Sequence, residues 1–196
     1  MLRKFLSGTF ENTRNGEKHA LQRKGDSMNV FAIDPGNEES AYCIMDDQYN
    51  LIEFKKSDNE DIMKIMLSKL DEIDEVCIER MMSYGMPVGA ETFITCEWIG
   101  RFSQEAEKKV KVSYIYRKDE KLYICGSPKA TDTNIRHALI ERFAKHDTKR
   151  GTGTKSNPDY FYGVAHDVWS SIAIACTFLD MKHEREKSNI KEIQGD

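Results

Sequence analysis

The sequence predicts an α/β fold in which a mixed central sheet, made of a three-strand antiparallel meander and later parallel strands, is flanked by helices. Three short apolar runs at 29–34, 40–46 and 50–55 follow one another with turn residues between them, a pattern typical of a meander. Two further apolar runs, at 75–79 and 110–116, alternate with segments of helical period. The run at 75–79 is therefore expected to pair parallel to the first strand.

Apolar residues repeating with a period close to 3.6 predict the helices between and after these strands. In the clearest segment, Ile62, Met66 and Leu70 fall on one helical face. Helices are expected at about 59–71, 91–108, 132–145 and 164–180.

The chain of 196 residues is long enough for one domain with a sizeable core, which we expect to span residues 28–180. Residues 1–27 are polar and show no helical or strand period, so we expect a disordered or non-native leader, with the domain starting at Met28. Residues 181–196 are charged and are expected to form a flexible tail.

Composition is typical of a soluble cytoplasmic enzyme. Charged residues make up 32% and hydrophobic residues 39% of the chain, which excludes a disordered protein. No apolar run approaches the roughly 20 residues that a membrane span needs. The five cysteines form no close pair and are interpreted as buried free thiols in a reducing cytosol.

Charge is divided unevenly along the chain, although the formal net charge is only −4. Residues 28–107 hold 6 Lys and Arg against 18 Asp and Glu, a balance of −12. Residues 108–156 hold 13 Lys and Arg against 5 Asp and Glu, a balance of +8. A basic segment inside an acidic chain indicates a local surface for a polyanion.

Three acids stand where an apolar element ends or begins. Asp34 ends the first strand and is followed by Pro35-Gly36, which turns the chain away. Glu79 ends a later strand, and Asp167 opens the last apolar helix. An unpaired buried carboxylate is unfavourable, and oxygen ligands from separate elements are how proteins assemble a Mg²⁺ site. We therefore predict that the three acids bind a metal.

The order of these acids resembles that of the RNase H-like nucleases, and within them the RuvC-type Holliday junction resolvases of the branch found in phages of Gram-positive bacteria. The C-terminal tracts are the specific part, because sugar kinases and actin-like ATPases also begin with a strand and an Asp. The resemblance spans residues 30–179 and rests on the tracts 32–36, 77–79, 129–143, 153–158 and 167–175.

The resemblance implies a Mg²⁺-dependent, structure-selective endodeoxyribonuclease that resolves four-way (Holliday) and related branched DNA junctions by paired nicks, in DNA recombination and repair. Asp34, Glu79 and Asp167 would be its catalytic residues and would hold two Mg²⁺ ions, with Mn²⁺ as a substitute and Asp34 as the bridging ligand. Two alternatives stay open: an RNase H-like nuclease acting on RNA or RNA–DNA hybrids, and a catalytically inactive junction-binding protein.

One position departs from the family pattern. RuvC-type enzymes usually carry a second acid three residues after the acid of the closing helix, and here that residue is Ser170. A hydroxyl can hold a metal-bound water but is a poor direct ligand. Ser170 and His166 are therefore candidates for the fourth ligand, and so is Asp159 in the preceding loop.

The DNA contacts are predicted from the basic segment and from the loop after the middle acid. That loop carries an aromatic residue where the family places a side chain that wedges into the junction centre, in a position to stack on a base. A Gly- and hydroxyl-rich loop at 149–158 is expected to be flexible and to order on a phosphate backbone. The predicted contacts are Tyr84, Lys129, Arg136, Lys149, Arg150 and Lys155.

A four-way junction has two-fold symmetry, so the resemblance also implies a homodimer with two identical sites, acting in the cytoplasm of the host cell. The apolar stripe of the helix at 91–108 is either the dimer interface or part of the core. Its members are Phe93, Ile94, Trp98, Ile99 and Phe102.

Overall fold

A five-stranded mixed sheet forms the centre of the computed structural model, which describes residues 27–83, 85 and 87–194. Residues 1–26, to which most of the predicted leader belongs, and Tyr84 lie outside this part. The strands of the central sheet are β1 (Asn29–Asp34), β2 (Glu39–Asp46), β3 (Leu51–Asp58), β4 (Glu75–Glu79) and β5 (Lys111–Ile115), and a separate hairpin contains β6 (Gly153–Thr154) and β7 (Asn157–Pro158).

The strand order in the sheet is β3-β2-β1-β4-β5. The first three strands pair antiparallel, whereas β4 pairs parallel to β1 and β5 pairs parallel to β4. This arrangement confirms the predicted mixed sheet. It also brings the carboxyl ends of β1, β4 and β5 to one edge.

Within the described residues, five helices accompany the strands, one more than the sequence predicted. The additional helix follows β5 directly, in a charged segment without an apolar stripe. The helices are α1 (Asn59–Lys69), α2 (Ala90–Ala106), α3 (Arg117–Cys125), α4 (Asp132–Phe143) and α5 (Val168–Gln194).

The last helix differs from its prediction at both ends. It begins at Val168 rather than near 164, because Gly163 and His166 have positive φ angles of 82° and 48° that interrupt helical backbone. It continues to Gln194 rather than ending near 180. The hydroxyl of Tyr49 donates to Asp180 at 2.5 Å, which anchors the middle of the helix. The residues that follow are rich in Lys and Glu, which favour helix.

The core has two parts, one on each face of the sheet. Alternation along β1 places Val30 and Ala32 on the face covered by α4 and α5, and Phe31 and Ile33 on the face covered by α1 and α2. Because both faces of the central strands are buried, their sequences read as continuous apolar runs.

The segment at 149–158 was expected to be a flexible loop, and the structure folds it into the β6–β7 hairpin. The carboxylate of Asp147 accepts the backbone N–H of Arg150 at 3.1 Å and that of Gly153 at 2.9 Å. Gly153 has a φ of 64° and lies so close to the opposite strand that a Cβ there would overlap its backbone. Glycine is therefore required at this turn.

No helix in the described part of the chain is long and apolar enough to cross a membrane. All five cysteines are free, as the sequence predicted. Cys43, Cys77 and Cys176 are buried, whereas Cys96 is exposed on α2.

Candidate functional site

Two of the three predicted acids lie side by side at the carboxyl edge of the sheet. Asp34 is the last residue of β1 and Glu79 is the last residue of β4. The parallel register pairs Ile33 with Ile78, so the two carboxylates leave the sheet next to each other. Their side chains share a hydrogen bond. In open α/β sheets, this is the edge at which ligands are usually bound.

The turn after Asp34 is held by a small hydrogen-bond network. A Cβ at Gly36 would overlap the carbonyl oxygen of Glu39, so the tight turn requires glycine. The Gly36 N–H donates to the Ser40 hydroxyl at 3.2 Å, and the Asn59 side chain donates to the Gly36 carbonyl at 3.0 Å. Ser40 in turn donates to Asn59. These contacts fix the backbone that presents Asp34.

The third acid, Asp167, lies directly before α5 and pairs with a lysine. Lys56 Nζ is 2.9 Å from Asp167 Oδ2 and 2.9 Å from Glu39 Oε2. Lys56 reaches this edge because β3 pairs it with Ala41 of β2, which itself pairs with Asp34 of β1. The hydrogen bonds to Glu39 and Asp167 raise the pKa of the Lys56 ammonium.

The three acids repel one another at this edge of the sheet. Burial raises the pKa of Asp34 well above its ordinary value, and the neighbouring charges of Glu79 and Asp167 raise it further. All three predicted ligands therefore lie close enough to interact. A divalent ion would relieve this repulsion, and carboxylate oxygens are the ligands that Mg²⁺ prefers.

The donor set fits Mg²⁺ in its chemistry, although its present arrangement does not form a complete coordination shell. Among the described residues, no group of three or more His, Cys, Asp or Glu side chains is placed to hold a metal ion. Instead, the Asp167 carboxylate forms an ion pair with Lys56, and the side chains of Asp34 and Glu79 share a hydrogen bond. Binding an ion at these residues therefore requires Asp167 to exchange its lysine partner.

A fourth acid at this edge was missed from the sequence. Glu120 lies in the first turn of α3 and its side chain is fully buried. Arg117 Nη1 donates to its Oε2 at 2.5 Å. Burial, followed by the charge of Glu79, raises the pKa of Glu120 to about 9. The available signal was its position, since an acid soon after β5 repeats the pattern of the acids that end β1 and β4.

A groove of about 410 Å³ opens beside Asp167, and it joins predicted ligands to predicted DNA contacts. His166 and Ser170 line it, as do the exposed basic side chains of Arg136 and Lys149. Two of the three candidates for the fourth ligand, His166 and Ser170, thus lie beside Asp167. Their role as ligands remains a prediction.

Arg136 is positioned by an aromatic side chain at the groove. Its guanidinium carbon lies 4.6 Å from the ring centre of Trp169. Trp169 belongs to the core and packs against Phe161 at 4.5 Å between ring centres. The other arginine of α4, Arg142, pairs instead with Asp180 at 2.7 Å, which gives it a structural role.

The remaining predicted DNA contacts are spread around the groove. Lys129 is exposed in the segment before α4, and Lys155 is exposed in the β6–β7 turn. Arg150 lines a neighbouring depression with residues of the hairpin. Tyr84 falls outside the described residues.

Asp159 has a structural role that competes with the ligand role suggested from sequence. Its carboxylate is buried and accepts four backbone N–H groups at 2.6–2.9 Å. Burial acts to raise its pKa, but these four donors prevail and hold the pKa well below its usual range. Asp159 therefore fixes the hairpin that carries the basic loop. The donors are the amides of Lys145, His146, Asp147 and Tyr160.

Solved structures that resemble the chain include two of RuvC from Thermus thermophilus. One shares 13% sequence identity, covers 80% of this chain and 96% of that chain, and has a TM-score of 0.51. The other, described as a complex with Holliday junction substrate, gives the same identity and coverage and a TM-score of 0.54. No protein-family model and no curated protein sequence matches the chain. The likeness shows an RNase H-like fold of the RuvC kind, as the sequence predicted; activity has to be argued from the site.

Proposed function

We propose that this chain is a Mg²⁺-dependent endodeoxyribonuclease of the RuvC type that resolves four-way DNA junctions, of the branch found in phages of Gram-positive bacteria, acting in the host cytoplasm. The observation that carries the proposal is the meeting of three acids, Asp34, Glu79 and Asp167, at one sheet edge beside a basic groove. The fold shared with a RuvC described in complex with a Holliday junction supports this substrate class.

The acids have the chemistry needed to hold two divalent ions. Asp34, which interacts with both other acids, would be the shared ligand, with Glu79 and Asp167 on either side. Bound Mg²⁺ would supply an activated water and neutralise charge on the leaving oxygen. Mn²⁺ is expected to substitute, since it accepts the same oxygen ligands.

The basic groove is suited to guide a phosphate backbone past the acids. Arg136 and Lys149 line the same groove as Asp167, so a phosphate held by these cations would lie next to the acid edge. The Trp169 ring beneath Arg136 restricts its guanidinium and lowers the entropy lost on binding. Such contacts read the backbone rather than the base sequence, as selection by DNA shape requires.

Resolving a junction by paired nicks calls for two sites, and α2 offers a surface for a second copy. The predicted apolar stripe divides: Ile99 and Phe102 are buried in the core, whereas Phe93 is 60% and Ile94 is 42% exposed. Exposed Val88 precedes them in the loop before the helix. We propose that this outer face forms the interface of a C₂ dimer. Phe93→Glu is expected to convert a dimer to a monomer in light scattering, and an unchanged mass would contradict this interface.

A second function, junction binding without cleavage, is favoured by one observation. Ser170 occupies the position at which the resembled family usually has an acid, and it lies on the groove beside Asp167. With only three acids, metal binding would be weakened while the basic groove would still hold DNA.

A substrate panel distinguishes these functions. The wild-type protein and Asp34→Asn are incubated with a four-way junction, a linear duplex and an RNA–DNA hybrid of matched sequence in Mg²⁺. We expect the wild type to cut the junction in preference to both other substrates, and Asp34→Asn to cut none. Preferential cleavage of the hybrid would favour an RNase H-like activity, and tight junction binding without any cut would favour the binder.

A further inference from the structure

Three neighbouring parallel strands each lead into an acidic side chain at the same edge of the sheet. Asp34 ends β1, Glu79 ends β4, and β5 leads through Tyr116 into α3, whose first turn carries Glu120. The register pairs Glu79 with Ile115, the last residue of β5, so α3 starts beside Glu79. Glu120 thereby occupies on β5 the place that the two predicted ligands occupy on their strands.

Glu120 is the most deeply buried acid of this edge, and half of its carboxylate has no partner. The side chain is 0% exposed. Arg117 satisfies Oε2, but Oε1 is buried without any hydrogen bond. A buried carboxylate oxygen left unpaired is unfavourable, and more so where it carries charge. Oε1 is therefore unexplained by the protein contacts alone.

The charges around Glu120 place it within the acid group rather than apart from it. Glu79 and Asp34 are the two acids whose negative charges act on Glu120 most strongly. Its cationic neighbour, Arg117, is shared, because its Nη2 also contacts Asp132 at 2.5 Å. The single positive charge of Arg117 therefore does not balance the negative charges of the carboxylates around it. An additional cation would reduce this imbalance.

From this geometry we propose that Glu120 is a fourth carboxylate ligand of the metal centre, fulfilling the role that Ser170 cannot. The inference rests on the proposed function, because it requires a divalent ion at Asp34 and Glu79. The acid that is absent at position 170 of α5 would thus be replaced by an acid of α3, just after the end of β5.

The competing explanation is that Glu120 serves only to hold Arg117 in place. A structural partner of this kind would leave no buried oxygen without a hydrogen bond, as for Glu75 at the opposite edge of the same sheet. Glu75 Oε1 accepts from Ser113 and lies 3.1 Å from Lys111 Nζ. Glu75 is also buried, at 6% exposure, which makes it a matched control.

The test is a calorimetric titration of the full chain with Mn²⁺, in the absence of DNA. Glu120→Gln keeps the shape of the side chain and removes its charge, and Glu75→Gln makes the same change outside the acid edge. We expect Glu120→Gln to weaken Mn²⁺ binding by about 10- to 100-fold, and Glu75→Gln to leave it within about twofold. Adding Ser170→Asp to Glu120→Gln should restore part of the affinity, a result that a purely structural role would not produce.

Each outcome of the titration supports or contradicts the assignment. Equal Mn²⁺ affinity in wild type and Glu120→Gln would overturn the role of Glu120 and leave the proposed function standing. Absence of Mn²⁺ binding to the wild type would overturn both. If Glu120→Gln fails to fold in circular dichroism, Glu120→Asp replaces it, since it keeps the charge but withdraws the carboxylate by one methylene. Unchanged affinity in that variant would contradict the proposal.

Discussion

Replacing Lys56 by Met should strengthen divalent-metal binding, because this lysine competes with the ion for Asp167. Its ammonium lies 2.9 Å from Asp167 Oδ2, and the two side chains are 34% and 55% exposed. An ion pair with this exposure is screened by solvent and contributes about 0.2–1 kcal/mol. Removing that competition should lower the dissociation constant for Mn²⁺ by about 1.4- to 5-fold, since 1.4 kcal/mol corresponds to tenfold.

The assay is a calorimetric titration of Lys56→Met and wild type with Mn²⁺ at equal ionic strength. Lys64→Met is the matched control, because Lys64 also forms a 2.9 Å ion pair, with Asp61 on α1, and its loss changes the net charge equally. We expect the gain in affinity in Lys56→Met alone. Weaker binding, or the same gain in both variants, would refute the reasoning that Lys56 holds a metal ligand.

Three further predictions concern the hairpin, the groove and the buried acid. Asp159→Ala removes the acceptor of four backbone N–H groups and should lower the free energy of unfolding by about 1–3 kcal/mol. Urea titrations measure this change. Unchanged stability would show that the hairpin does not depend on the Asp159 carboxylate. Arg136→Ala should reduce the slope of log K against log salt for junction binding by about 0.9, measured by fluorescence anisotropy, and an unaltered slope would place Arg136 away from phosphate. In chelator, native Glu120 keeps a proton that the unfolded chain releases, because its pKa is about 9 in the fold against 4.5 ordinarily. The free energy of unfolding of the wild type should therefore fall as the pH rises from about 4.5 to about 9. Thermal melts at both ends of this range should show a smaller fall for Glu120→Gln. An equal fall in both proteins would contradict the raised pKa of Glu120.

The ends of β1 and β4 could be predicted from sequence because their signals are local. An apolar run ending in Asp34 and then Pro35-Gly36 specifies a strand, a turn and an acid at the end of the strand within a few residues. Glu79 repeats that pattern, and the parallel pairing of the two strands follows from the helix between them. Local pattern and chain connectivity are sufficient to bring these two acids together.

The helix α3 was missed because its stabilising contacts are not periodic in the sequence. Residues 117–121 read Arg-Lys-Asp-Glu-Lys, which resembles a solvated loop. The helix begins with a capping box between Tyr116 and Asp119, and Tyr116 is not among the residues that usually cap. The burial of Glu120 depends on neighbouring strands and helices, which no short window contains.

The ion pair between Lys56 and Asp167 could not be predicted from the sequence either. The two residues are far apart in the chain and meet only because β3, β2 and β1 lie in register across the sheet. The role of Asp159 depends on the path of the hairpin in the same way. In both cases the type of residue suggested a ligand or a surface charge, and tertiary contacts decided its partner.

The most direct test of the central claim is single-turnover cleavage of an end-labelled four-way junction, bound first in chelator and then given excess Mg²⁺. Wild type and Asp34→Asn are compared at protein concentrations that saturate the junction. We predict that the wild type nicks two strands of like polarity at symmetric positions, and that Asp34→Asn binds the junction and leaves it intact. A wild-type complex that remains uncut in Mg²⁺ and in Mn²⁺, or cleavage that survives in Asp34→Asn, would contradict a metal-dependent nuclease built on this acid.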